Sequence, residues 1–243
     1  MRTLLALAAT MLALAGQANA GVVYSARMEK FGKKSTFAVW ATDSKAKFSV
    51  TASDDPKMPT GTSIIALDGG QRYILIDPER RAFIGLTRDQ YSSLREKQAE
   101  SHGIQILNPK LEELVVNGDG GVVAGNKTRY FKLSISLNAA EDGRQVAIVA
   151  TEEFWTAPSL PDPAPSLDML TQQVSGLAKL DELLDYKKLH GYPLKRVVQL
   201  QENGQFAGSS LVEVTRIAQS RIPDSTFDLP AGYAKLDISG RLQ

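Results

Sequence analysis

Alternation of apolar and polar residues with a period of two constrains this chain most, because it recurs through short segments separated by turn formers. Val22, Tyr24, Ala26 and Met28 share one parity, and Ser25, Arg27 and Glu29 share the other. Such a segment reads as a strand with one face toward a core. Phe37, Val39 and Ala41 continue the pattern, then Ala46, Phe48 and Val50. Further strands are expected at Ser63–Leu67, Arg72–Ile76, Ala82–Leu86, Leu111–Val116, Arg129–Leu137, Gln145–Trp155, Leu194–Glu202 and Gln205–Ile217. The connections are short: Phe31-Gly32-Lys33-Lys34, Asp68-Gly69-Gly70, Asp77-Pro78-Glu79-Arg80, Glu141-Asp142-Gly143 and Asn203-Gly204. Asn-Gly between two apolar-patterned runs is a strong hairpin signal. Strands joined this way must be antiparallel neighbours.

Two stretches break the pattern. Thr87-Arg88-Asp89-Gln90 fits a capping box and predicts a polar surface helix over about 88–100, with Tyr91 and Leu94 on its apolar side. Pro158, Pro161, Pro163 and Pro165 exclude both helix and central strand. After them, Leu170, Val174, Leu177, Leu180 and Leu184 recur at helical spacing. An amphipathic segment must bury its stripe, and the inner face of the sheet is the available surface. The expected fold is therefore mainly β (α+β): a strongly curved antiparallel sheet, an incomplete barrel, capped by one or two helices. The second of these would be a lid at about 164–190.

The first twenty residues read as a secretory signal. Arg2 is the positive n-region, Leu4 to Leu14 the apolar core, and Ala18-Asn19-Ala20 a small-x-small cleavage site. Cleavage after Ala20 leaves 223 of the 243 residues, read as one domain over 21–243. The mature chain then carries 27 basic and 27 acidic residues, which gives no reason to expect a nucleic-acid partner. No later segment has the length of apolar sequence a transmembrane helix needs. The absence of cysteine removes thiol redox chemistry and Cys-based zinc sites, and leaves no acceptor for N-terminal lipidation. The expected location is the periplasm or the exterior.

No catalytic constellation emerges. His102 and His190 lie in different elements without a ligand-like spacing, and His190 suits a helix C-terminus. There is no nucleophile elbow and no P-loop. Gly118-Asp119-Gly120-Gly121 joins strand to strand and reads as a turn. Glu152 and Glu153 point to opposite faces of one strand, so they cannot share a proton transfer, and they read as edge protection or surface charge. Asp181, Glu182 and Asp185 among lysines read as a solvated helix face. Asn126-Lys127-Thr128 reads as a turn. We expect no metal, no cofactor and no enzymatic activity. The constructive lead is the apolar parity of the strands. Phe37, Val39, Phe48, Val50, Phe131, Leu133 and Ile135 would line one concavity. Residue types alone do not separate a filled core from a pocket for a lipid or acyl chain.

Several pieces together resemble a family of secreted bacterial proteins, known as a domain of unknown function, with a half-barrel like that of the lipoprotein carriers LolA and LolB. They are the opening hairpin through Trp40, Asp77-Pro78-Glu79-Arg80-Arg81 before Phe83, and Val123-Ala124-Gly125-Asn126-Lys127-Thr128. The rest are Trp155 before the prolines, Gly191-Tyr192-Pro193-Leu194-Lys195, and Phe227-Asp228-Leu229-Pro230-Ala231-Gly232-Tyr233. The resemblance implies a half-barrel with a helical lid. By fold analogy it implies a hydrophobic ligand, such as a lipoprotein acyl chain, or a role in envelope interaction or stress sensing with a packed core.

Overall fold

The computed structural model describes residues 18–91, 93–94, 105–141, 144–160 and 191–237. The short turns do return the chain antiparallel to itself. The strands are β1 (Ala18–Lys30), β2 (Lys33–Ala41), β3 (Ala46–Ser53), β4 (Ser63–Leu67), β5 (Arg72–Asp77), β6 (Ala82–Thr87) and β7 (Gln105–Asn117). They continue with β8 (Val122–Val123), β9 (Asn126–Lys127), β10 (Arg129–Glu141), β11 (Arg144–Ala157), β12 (Tyr192–Glu202), β13 (Gln205–Pro223) and β14 (Ala234–Lys235). Among the described residues, twelve of them form one open, curved sheet in the order β14-β6-β5-β4-β3-β2-β1-β13-β12-β11-β10-β7. All neighbours are antiparallel except β14 beside β6. β8 and β9 form a separate small hairpin.

β1 lies between β2 and β13, so the first and last long strands meet in the middle of the sheet. Each half is otherwise a run of neighbouring strands. Bulges at Ser25/Ala26, Thr36/Phe37, Ser134/Ile135, Trp155/Thr156 and Leu200/Gln201 interrupt the ladders. Each bulge bends its strand, which curves the sheet without closing it. The Asn203-Gly204 hairpin has φ of 50° and 77°, the paired left-handed conformation of a type I′ turn. The Asn203 Oδ1 also accepts from Ala147 N at 3.2 Å, tying the hairpin to β11. Phe31-Gly32 adopts the same conformation with φ of 49° and 78°, although Phe is a strained residue there.

The inner face carries the main core: Val22, Tyr24 and Ala26 of β1; Phe37, Val39 and Ala41 of β2; Ala46, Phe48 and Val50 of β3; and Tyr73, Leu86, Leu194 and Val214 beyond them. Burying each large apolar side chain contributes about 1.5–3 kcal/mol. The predicted capping box forms as read. Thr87 N donates to Gln90 Oε1 at 2.9 Å, and Gln90 N donates to Thr87 Oγ1 at 3.3 Å. Residues 88–91 and 93–94 are helical. Tyr91 is buried with its ring 5.1 Å from that of Tyr73, so this helix seals the β5 end of the inner face.

Alternation implied that the outer face is wet throughout. Over β3 to β6 it is not. Ile65 and Ile76 are buried there with Ile222 and Phe227, packed by Trp40, Phe83 and Tyr233. The segment after β13 makes this cover. A 3₁₀ turn (Asp224–Phe227) is held by Lys45 Nζ to Asp224 Oδ1 at 2.9 Å and Lys47 Nζ to Thr226 O at 3.0 Å. Ala234 N then donates to Arg81 O. Burial lowers the Lys47 pKa, and Asp228 partly opposes that shift. The expected lid at about 164–190, with His190 and the acidic group from Asp181, lies outside the described residues, as do His102 and residues 1–17.

Candidate functional site

Period-two alternation and strand register set which side chains share the inner face. Phe48 is opposite Val39, and Val50 is opposite Phe37. The Phe37 and Phe48 rings lie 4.8 Å apart and tilted, a favourable aromatic geometry. On the other half, Phe131 is opposite Phe154, Leu133 opposite Glu152, and Ile135 opposite Ala150. All seven residues nominated for a cavity therefore point to the inner face. They form two groups. Phe37, Val39, Phe48 and Val50 belong to one continuous core cluster, whereas Phe131, Leu133 and Ile135 sit across β1, β13, β12 and β11 from it. The seven are 0–7 % exposed.

Between the groups the inner face is not purely apolar. Glu152 and Arg196 are both buried, and Arg196 Nη2 donates to Glu152 Oε2 at 2.5 Å. The guanidinium also lies 4.9 Å from the centre of the Phe154 ring. This corrects the reading of Glu152 as surface charge. Its strand neighbours gave no sign of burial, because its ion partner lies 44 residues away on β12. Glu153, on the opposite face, accepts from the Tyr130 hydroxyl at 3.0 Å. Partial burial and the Glu153 carboxylate push the Tyr130 pKa up to about 12. Tyr24 and Tyr192 meet edge to face with centroids 6.0 Å apart. Burial raises both hydroxyls well above the ordinary tyrosine range. The hydroxyls lie close together, although Tyr192 Oη meets no partner in hydrogen-bonding geometry among the described residues.

The opposite character appears at β7, one edge of the sheet. Leu111, Leu114, Val115 and Val116 are 37–63 % exposed, and they are half of the large exposed apolar residues among the described ones. Register places Leu111 beside Ile135, Leu114 beside Leu133 and Val116 beside Phe131. Among the described residues, the inner apolar face thus runs out to an exposed rim. Sequence reading found the strand but not its place at the edge. The signal available was Pro109, since proline inside a strand belongs at an edge or a bulge.

The turns behave as turns. Gly121 N donates to Asp119 Oδ1, and Asn126 Nδ2 donates to Ala124 O. Gly120 is packed so closely that a Cβ there would meet Arg129 C at 2.9 Å. Among the described residues, no three His, Cys, Asp or Glu side chains are grouped to hold a metal. No described helix is long and apolar enough to cross a membrane.

Residues 140–233 match a protein family described as Domain of unknown function (DUF4412). That stretch runs from the end of β10 to the segment covering the outer face. It includes Trp155, Gly191-Tyr192-Pro193 and Phe227 through Tyr233. No match was found among curated proteins. Among solved structures, the chain is similar to an uncharacterized conserved protein from Thermus thermophilus. Identity is 9 % over 97 % of this chain and 99 % of that one, with a TM-score of 0.45. It is also similar to a chain of the Pseudomonas aeruginosa MucA/MucB complex, at 12 % identity over 92 % of this chain, with a TM-score of 0.47. This protein spans 60 % of that chain, less than two thirds of its length.

Proposed function

We propose that this protein is a non-enzymatic periplasmic binding module whose packed half-barrel presents a surface for an envelope protein. The observation that carries this reading is the contrast between the inner face and its rim. A side chain that lines a ligand-sized void keeps surface open to that void, even when the void is sealed from outside. Phe37, Val39, Phe48, Val50, Phe131, Leu133 and Ile135 retain almost none. Exposed apolar surface gathers instead at β7, and surface of that kind marks interaction sites. The signal-like N-terminus supports an envelope location. The buried Glu152–Arg196 pair fits a scaffold role, because each charge is neutralised within the sheet.

The second reading is an acyl-chain or lipid carrier. It draws on the two apolar stretches of the inner face, one over β1 to β6 and one on β10, and it requires the packed side chains to part. A photo-crosslinking amino acid placed in turn at Phe31, Val116, Val122 and Phe206, all exposed, tests the first reading in cells. The module reading predicts an adduct with an envelope protein from at least one of these positions. Absence of any protein adduct at all four overturns it.

A further inference from the structure

We propose that the edge of β7 to which no described strand pairs, from Lys110 to Asn117, accepts an extended peptide segment of a partner protein as an additional antiparallel or parallel strand. The proposal rests on the module reading and names its surface and its chemistry.

β7 is hydrogen-bonded to β10 on one side and, among the described residues, ends the sheet on the other. A strand in that position presents a row of main-chain N–H and C=O groups, whose natural complement is another strand. Upstream, Asn108 has φ of 48° and Pro109 has no N–H, so regular pairing can start only at Lys110. Glu112 is an extra residue against β10, so the uninterrupted ladder is Glu113–Asn117, roughly 16 Å long and enough for a short strand. Natural edges of this length are usually blunted by charge. Here the charges are closed on themselves. Lys110 Nζ lies 2.9 Å from Glu112 Oε2, and Lys132 Nζ lies 3.4 Å from Glu113 Oε2. Glu112 also accepts from the Ser136 hydroxyl. Each charged side chain of Lys110–Asn117 thus has an opposite partner, which weakens repulsion of an incoming strand.

Side chains define the occupant. Leu111, Leu114 and Val116 line the inner side of the edge beside buried Ile135, Leu133 and Phe131. An added strand would lay alternate side chains over this stripe, so the matching segment alternates apolar and uncharged polar residues. A second copy of this chain matches less well. Its own Lys110–Asn117 carries Lys110, Glu112 and Glu113 and does not alternate apolar with uncharged polar residues, as the stripe requires.

The test uses the mature protein and an acetylated, amidated octapeptide alternating valine and threonine, with one lysine for solubility. Binding is followed by fluorescence anisotropy, and the contact by amide hydrogen exchange. The proposal expects saturable binding, slowed exchange within Lys110–Asn117, and about tenfold weaker binding in Leu114→Lys and in Val116→Lys. Both positions are exposed, so the variants should keep the wild-type circular dichroism. The exchange measurement on the unmutated protein stands apart from them. Failure to bind, or binding without protection at β7, overturns the edge proposal. A concentration-dependent dimer that Val116→Lys dissolves also overturns it, by making a second copy the occupant. In either case, a cross-link to an envelope protein from any of Phe31, Val116, Val122 and Phe206 leaves the module reading intact, whereas absence at all four removes both.

Discussion

Breaking the Glu152–Arg196 pair is the perturbation that best probes how closed the inner face is. The two side chains are 5 % and 10 % exposed and joined at 2.5 Å. Glu152→Leu leaves the guanidinium buried over Phe154 without its carboxylate. Removing one member of a buried pair costs about 3–5 kcal/mol. For a domain of this size, each kcal/mol moves Tm by roughly 2–4 °C, so Glu152→Leu should lower Tm by about 6–20 °C. Arg196→Met strands the carboxylate in the same way and should cost a similar amount. The double variant Glu152→Leu/Arg196→Met should recover most of the loss, since apolar replacement of a whole buried pair is often neutral or stabilising. Thermal and urea denaturation of the four proteins, monitored by circular dichroism, reads all of this. If both single variants lose less than about 1 kcal/mol, the pair behaves like a solvated one, and the inner face at β11–β12 is not packed as argued.

Three further outcomes are expected. Ile65→Ala should destabilise by about 2–5 kcal/mol in urea, although Ile65 faces away from the main core, because Phe227 and Ile222 bury it; a loss under about 1 kcal/mol would refute the outer-face cover. Tyr130, with a folded-state pKa pushed up to about 12, holds its proton more tightly than the unfolded chain does. It contributes fully below the ordinary tyrosine pKa of about 10, and its contribution is lost as pH rises toward 12, so Tyr130→Phe should flatten that part of the alkaline denaturation profile. Thr87→Ala removes the cap to Gln90 N and should cost about 1 kcal/mol, seen as faster amide exchange in the first helical turn; unchanged exchange would deny the capping box a stabilising role.

Local chemistry made much of this fold legible. Asn203-Gly204 announces its hairpin because few other pairs hold two left-handed residues in a row. The parity of Phe37, Val39, Phe48 and Val50 is copied directly into the inner face. The Thr87/Gln90 box forms atom for atom. Long-range facts were less legible. Nothing near Glu152 in sequence indicates Arg196, since the pairing depends on β11 lying beside β12. The cover over Ile65 depends on Ile222 and Phe227, far downstream, returning to the outer face, which alternation alone cannot encode. The edge position of β7 was foreshadowed by Pro109, but the exposure of Leu114 and Val116 follows only from where the sheet stops. Phe31 in a left-handed turn runs against local preference. Its ring lies over Gly208, where a Cβ would come within 2.3 Å of the ring.

The proposed packed scaffold and a carrier differ in what the protein holds when isolated. Native mass spectrometry of the protein purified from the cells that make it, followed by denaturing lipid extraction, tells them apart. A packed inner face predicts the mass of the bare polypeptide and no stoichiometric lipid in the extract. A lipid or acyl species that leaves only on unfolding would contradict it, because such a guest must displace the side chains that now fill the inner face.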